Sequence, residues 1–206
     1  VPKALYVGID LAGPANFADT CMAIEWQGKL NIHCGCSDTD ILKILAPYLG
    51  KTPVFIALDA PLTYQEGGGY RDVDRALRQH LNQHGFAKIG VMAPTMTKMV
   101  YLTLRGLRLK ECLSALPQTT LFETHPGAAL LFSGADYDRV CNIKSNPQAL
   151  ATITDFLKQQ IAFKQPITQD HQAMAVAAML SAKRAALGQV FWQFQSDIVG
   201  QPALVL

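Results

Sequence analysis

The sequence predicts an α/β domain built on a mixed sheet, and three observations carry that prediction. The first is a set of short apolar runs that each close on an acid: Ala4-Leu5-Tyr6-Val7-Gly8-Ile9-Asp10, Pro53-Val54-Phe55-Ile56-Ala57-Leu58-Asp59 and Thr120-Leu121-Phe122-Glu123. Runs of this length bounded by Gly and Pro read as strands buried on both faces, the kind found in parallel sheets. The second is Gln27-Gly28-Lys29, turn chemistry set between two strand-like segments, Thr20 to Trp26 and Leu30 to Cys36, which favours a hairpin. The third is the helical spacing of apolar residues between the strands, as in Ile41, Leu45 and Tyr48 or Leu150, Ile153, Leu157 and Ile161.

Composition sets the bounds. The chain has 206 residues, half of them hydrophobic and 17% charged. That is enough apolar material for a sizeable core and excludes a disordered chain. A single domain over residues 1–206 is expected, with a mainly helical insertion at about 63–119. The net charge of +2 neither demands nor excludes nucleic acid, so any basic footprint must come from local clustering. The five cysteines follow no C-x-x-C spacing, and they read as free thiols of a reducing cytoplasm. No secretory segment precedes the first strand and no apolar run has membrane-spanning length, so a soluble, cytoplasmic protein without a membrane partner is expected.

In chain order, the Asp10 strand and the hairpin open the sheet as an antiparallel meander of three strands. Asp38 or Thr39 can cap a helix running to about Leu49. A strand–helix–strand connection is normally parallel and right-handed, so the Asp59 strand belongs beside the first. Glu66-Gly67-Gly68-Gly69 reads as a loop, and Arg71 to His84 as an amphipathic helix with Val73, Ala76 and Leu77 facing one way and Arg71, Arg75 and Arg78 the other. A second helix, from about Met96 to Leu116, is apolar nearly all round, with Lys98, Arg105 and Arg108 aligned on one side. The Glu123 strand follows, then a helix opened by Pro147 and an alanine-rich helix from Asp170 to Leu187. Gln189 to Phe194 and Pro202 to Leu206 are candidates for edge strands.

Three strands that deliver acids to one edge place the candidate site there, where ligands bind in open α/β sheets. Carboxylates on neighbouring parallel strands, about 4.8 Å apart, repel unless a proton or cation intervenes. Oxygen ligands of this kind suit Mg²⁺ or Mn²⁺, which take one or two carboxylates plus substrate phosphates. Asp10 and Asp59 are the principal expected ligands, with Glu123 reaching a second ion and Asp170 closing the ring. Against this, an aspartate at a strand end can simply open a turn, and Asp170 is a natural helix-capping residue. His125 and His171 stand near acids and can assist proton transfer. Arg71, Arg75, Arg78, Lys98 and Arg105 can grip phosphates, although arginines along an exposed helix face are ordinarily just solvated. No nucleophile triad, zinc spacing or phosphate-loop lysine is present.

Taken together and in order, Val7-Gly8-Ile9-Asp10, Ile56-Ala57-Leu58-Asp59-Ala60-Pro61, Arg71-x-x-Asp74-Arg75-x-x-Arg78 and Glu123-Thr124-His125-Pro126-Gly127 resemble the "domain of unknown function 429" family. The resemblance extends to Leu104-Arg105-Gly106-x-x-Leu109 and the alanine-rich helix. It implies a predicted nuclease with an RNase H-like, three-layer fold: a mixed five-stranded sheet, order 3-2-1-4-5, with helices on both faces and acids ending strands one, four and five. One position departs from the pattern, because Met174 stands where the family's late helix carries a second acid.

The expected activity is therefore divalent-metal-dependent hydrolysis of phosphodiester bonds in DNA or RNA, catalysed by Asp10, Asp59, Glu123 and Asp170. Two other readings compete. A non-catalytic binding protein of the same fold is motivated by Met174, and an ATP-dependent phosphotransferase of the actin or sugar-kinase type shares the opening Gly-Ile-Asp strand and hairpin. The latter architecture duplicates its core, for which this chain has no room.

Overall fold

A computed structural model of the chain describes residues 3–196 and 201–206. Its first half contains strands β1 (Leu5–Asp10), β2 (Cys21–Trp26) and β3 (Lys29–Cys34), helix α1 (Asp38–Leu45), strand β4 (Val54–Asp59) and helices α2 (Asp72–Gln83) and α3 (Met99–Ser114). Strand β5 (Thr119–Thr124) follows, then helices α4 (Pro126–Phe132), α5 (Tyr137–Asn142), α6 (Pro147–Gln160) and α7 (Asp170–Ala186), and strands β6 (Gln193–Phe194) and β7 (Leu204–Val205). Among the described residues, no helix is long and apolar enough to cross a membrane.

One sheet runs in the order β3-β2-β1-β4-β5-β7-β6. Its first three strands form the antiparallel meander, and β4 and β5 run parallel to β1. The sheet has seven strands, not the expected five. The extra pair comes from the tail: β7 lies parallel to β5 and β6 folds back antiparallel on β7. Ala203 to Leu206 are buried there, and the Glu123 N–H donates to the Ala203 carbonyl at 2.9 Å. This covers an edge that β5 would otherwise present to solvent. Both strands fall within the tail segments that the sequence offers as candidate edge strands, Gln189 to Phe194 and Pro202 to Leu206.

Side chains alternate across the sheet and separate two cores. Leu5, Val7 and Ile9 of β1 join Val54, Ile56 and Leu58 of β4 under Ile41 and Leu45 of α1 and Leu109 and Leu113 of α3. The other face, carrying Ala4, Tyr6, Cys21 and Ala23, is covered by Ala175, Val176 and Met179 of α7, with α4, α5 and α6 packed around that helix. Two glycines set how closely these layers approach. A Cβ on Gly8 would stand 2.0 Å from the Met179 nitrogen and 2.2 Å from the Ala175 carbonyl oxygen, so α7 lies backbone-to-backbone on β1. On the opposite face, a Cβ on Gly106 of α3 would stand 2.8 Å from the Pro61 carbonyl oxygen, just beyond the end of β4.

The structure corrects four local expectations. The helix expected from Met96 begins at Met99, after a series of turns that starts at Ala93. Arg105 does not share an exposed side with Arg108: it is buried, while Tyr101 and Leu104 are exposed. Helices α4 and α5, of seven and six residues, are too short to show an apolar stripe in the sequence. Cys21 and Cys34 are not free thiols; they face each other across β2 and β3 and form a disulfide, while Cys36, Cys112 and Cys141 are free.

Because the Gly8 contact is with main-chain atoms that cannot rotate away, Gly8→Ala is expected to cost about 3 kcal/mol in urea denaturation. Gly13→Ala, where a new Cβ meets nothing within 4 Å, is expected to stay within about 0.5 kcal/mol of the wild type. Equal midpoints for both variants would contradict the close approach.

Candidate active site

Parallel pairing of β1 with β4 runs in register from Leu5↔Val54 to Asp10↔Asp59, so the two aspartates end neighbouring strands side by side. Both lie on the α7 face, the face that also carries Gly8. They line a cleft of about 490 Å³ at the carboxyl edge of the sheet, within the range of small-ligand sites. Burial, and then the neighbouring Asp10 carboxylate with its hydrogen bond, hold Asp59 well above the ordinary carboxylate pKa; Lys144 pulls the other way. Two carboxylates set this close favour a proton or a cation between them.

Helix α7 supplies two further groups. His171 Nδ1 lies 2.6 Å from Asp10 Oδ2. An ionised carboxylate can only accept, so Nδ1 donates and Nε2 is the basic nitrogen of the neutral ring. That hydrogen bond raises the His171 pKa against the opposing effect of burial. Asp170, the first residue of the helix, lines the same cleft with its Oδ2 buried and without a hydrogen-bond partner. Met174, one turn further along, adds an apolar wall.

Glu123 is placed differently. The register pairs it with Leu58, one residue short of Asp59, so it leaves β5 on the opposite face from the aspartate pair. Both of its oxygens are committed to Arg71: Nη2 to Oε1 at 2.6 Å and Nη1 to Oε2 at 2.9 Å, with the Leu62 N–H also donating to Oε2. Arg71 binds Asp74 as well, through Nε to Oδ2 at 3.0 Å and Nη2 to Oδ1 at 2.6 Å, and its Nη1 reaches Thr63 Oγ1 at 3.0 Å. Burial works against the Arg71 charge, but the hydrogen bonds of Glu123 and Asp74 outweigh it and keep the guanidinium pKa above its ordinary value. Arg71 is thus a buried clamp that starts α2 and not part of an exposed basic row.

The remaining expected phosphate ligands also lie apart from the aspartates. Arg105 is consumed by Asp38 at 2.8 Å, the Ala12 carbonyl at 2.6 Å, Thr20 Oγ1 at 2.7 Å and the Cys36 carbonyl at 3.1 Å. It fixes the chain just after Asp10, which is a positioning role. Arg75 pairs with Asp72 and Arg78 lies over the Tyr70 ring, both exposed and lining a shallow depression elsewhere on α2. Lys98 precedes α3 on the surface, outside the cleft lining. His125 accepts from the Ala128 N–H at Nδ1 and donates from Nε2 to the Gly90 carbonyl, so both ring nitrogens serve the scaffold. Two cleft residues absent from the sequence reading are Lys88 and Lys144, which lie in irregular segments where no periodicity singles them out.

Residues 8–196 match a protein family described as "Protein of unknown function (DUF429)". The chain belongs to this family. No curated protein and no solved structure matches it significantly. The matched span runs from Gly8 on β1 to the residues just after β6.

Among the described residues, no three Asp, Glu, His or Cys side chains form a group that can close around a metal ion. The residues fit a smaller demand. The in-register aspartate pair supplies hard oxygen donors of the kind Mg²⁺ or Mn²⁺ accepts when water and substrate phosphate complete its shell. Both oxygens of Glu123 accept from Arg71 on the other face of the sheet.

Two outcomes follow for stability. Arg71→Ala leaves Asp74 and Glu123 buried without a counter-charge and is expected to cost about 3–5 kcal/mol by urea denaturation; a loss below about 1 kcal/mol would contradict the clamp. Asp59, with its pKa raised in the fold, contributes stability that is complete below its unfolded value near 3.8 and is lost as pH rises through the folded value. In EDTA, Asp59→Asn is therefore expected to unfold at higher urea than the wild type at neutral pH, the gap closing as pH falls towards 3.8. A gap independent of pH would contradict the shared proton.

Proposed function

We propose that this chain is a divalent-metal-dependent hydrolase of phosphodiester bonds in DNA or RNA, a nuclease with an RNase H-like fold. The observation that carries the reading is the in-register pair Asp10↔Asp59, two carboxylates that need a proton or a cation between them, set in the cleft at the carboxyl edge of the sheet. The start of the sheet order, β3-β2-β1-β4-β5, with acids at the ends of β1 and β4 and near the end of β5, supports the fold assignment. Asp10 and Asp59 would hold one Mg²⁺ or Mn²⁺, water and substrate phosphate completing its shell, while Asp170 lines the same cleft. When bound, such an ion supplies Lewis-acid activation of the phosphoryl group.

The chain's own residues account for the rest. The Asp10–His171 hydrogen bond fixes the imidazole so that Nε2 can accept a proton from the attacking water. A bond forms between the water oxygen and phosphorus, the bond from phosphorus to the leaving ester oxygen breaks, and that oxygen takes a proton from solvent. The products are a phosphate monoester end and a hydroxyl end. Met174 and the Arg71 clamp border the reacting centre without taking part in the proton movements.

Cleavage of DNA or RNA by the purified chain should require Mn²⁺ or Mg²⁺, and Asp10→Asn should reduce the rate about a hundredfold or more. Activity that survives this substitution, or that persists in EDTA, would overturn the reading. A second reading, non-catalytic binding through the same cleft, is favoured by Met174 in the wall and by the commitment of Glu123 to Arg71. It predicts nucleic-acid binding with no heat of Mn²⁺ binding in calorimetry.

A further inference from the structure

An acid cleft that takes a phosphodiester must offset repulsion between its carboxylates and the incoming anion. Five acids line it: Asp10, Asp59, Asp74, Glu123 and Asp170. Arg71 answers Asp74 and Glu123, and nothing on that side is left for substrate. Among the described residues, the other lysine and arginine side chains in the lining are Lys88 and Lys144. Among the described residues, neither ammonium group has an ion-pair or hydrogen-bond partner, in contrast to Lys183, which is bound to Glu25 at 2.8 Å.

We propose that Lys88 and Lys144 form the phosphate seat of this cleft, holding a backbone phosphate next to the scissile one on a single strand of nucleic acid. The inference rests on the phosphodiester reading and names the substrate-holding groups that reading lacks.

The seat is built rather than incidental. The Lys88 N–H donates to the Tyr137 hydroxyl at 2.8 Å, tying the segment after α2 to the start of α5. The Phe86 and Tyr137 rings lie 5.4 Å apart and support the same junction. Two residues on, the Gly90 carbonyl is held by His125 Nε2 at 3.0 Å. Burial keeps the His125 pKa below its ordinary value, so this anchor stays neutral and does not compete for phosphate. On the other side, Ile143 is buried beneath Lys144, and Asn146 caps α6 by accepting from the Gln148 and Ala149 N–H groups. Both lysine backbones are thereby anchored while the residues themselves are exposed, as suits point charges that follow a flexible strand. Lys144 is close enough to Asp59 and His171 to lower the pKa of each, which places its charge at the reacting groups.

The shape of the cleft selects a single strand. Its 490 Å³ corresponds to a small-ligand site, and its apolar wall of Met92, Met99 and Met174 is flexible enough to take a base of any identity. A duplex would have to splay an end to enter. Because the seat reads phosphate, DNA and RNA strands should bind alike.

The test is fluorescence anisotropy with fluorescein-labelled oligothymidylate and oligouridylate of about ten nucleotides, in Ca²⁺ and across a salt series. The wild type should bind both strands. Lys88→Gln and Lys144→Gln should each reduce the slope of log affinity against log salt by about 0.7, and the double variant by about 1.4, so that the double variant binds about five- to tenfold more weakly at low salt. Lys158→Gln, which removes a charge from exposed α6, should change neither quantity. A double variant with wild-type slope and affinity, or a wild type that binds neither strand, overturns the seat. If lysine-dependent binding holds but no metal supports cleavage, the seat stands and the hydrolase reading falls. If the double variant cleaves with an unchanged KM, the seat falls and the hydrolase reading stands.

Discussion

Everything at the carboxyl edge depends on the register of β1 against β4. Six consecutive pairs, from Leu5↔Val54 to Asp10↔Asp59, set two carboxylates abreast, and no other pair of strands in the sheet brings two acids level. That register is enforced from both faces by contacts that leave no room for a side chain. Gly8 lets the backbone of α7 rest on β1, and Gly106 lets α3 rest on the segment that leaves β4. The same approach of α7 carries Asp170 and His171 to Asp10, so one packing constraint assembles three of the site's side chains.

Charge is divided between the two faces. On the α7 face Asp10 and Asp59 stand abreast, an arrangement that invites a proton or a cation between them. On the other, Glu123 and Asp74 are bound by one arginine whose donors are all used. Buried ion pairs of this kind define an arrangement more than they stabilise it. Here the arrangement holds the start of α2 against the end of β5. Arg105 has a comparable role beyond β1, joining the Ala12, Thr20, Cys36 and Asp38 segments. The chain thus uses its buried arginines as scaffold and leaves lysines at the cleft mouth.

The sequence made the meander, the parallel β4 and β5, and helices α2, α6 and α7 legible, because each has a run or stripe long enough to count. It also made Asp10 and Asp59 legible as a pair, since both close strands of matching pattern. Glu123 looked equivalent for the same reason. What the pattern could not carry was register: one residue of offset turns Glu123 to the other face and into the grip of Arg71. The disulfide was more accessible than it looked. A two-residue turn at Gln27-Gly28 pairs Trp26 with Lys29, and counting back along the hairpin brings Cys21 opposite Cys34. Arg71 and Arg105 resembled surface charges because periodicity on a helix says which residues share a face, but not which carbonyls and carboxylates wait beneath it. The tail was legible as candidate edge strands, but not its pairing beside β5, because segments this short carry no period to fix their neighbours.

The account turns on whether the aspartate pair holds a cation. A crystal of the protein soaked in Mn²⁺ and measured at the manganese absorption edge decides this. The account predicts one anomalous peak in contact with Asp10 and Asp59 and within reach of Asp170, and none at Glu123. The absence of a peak with the two carboxylates side by side, or a peak bound by Glu123 with Arg71 displaced, would contradict it.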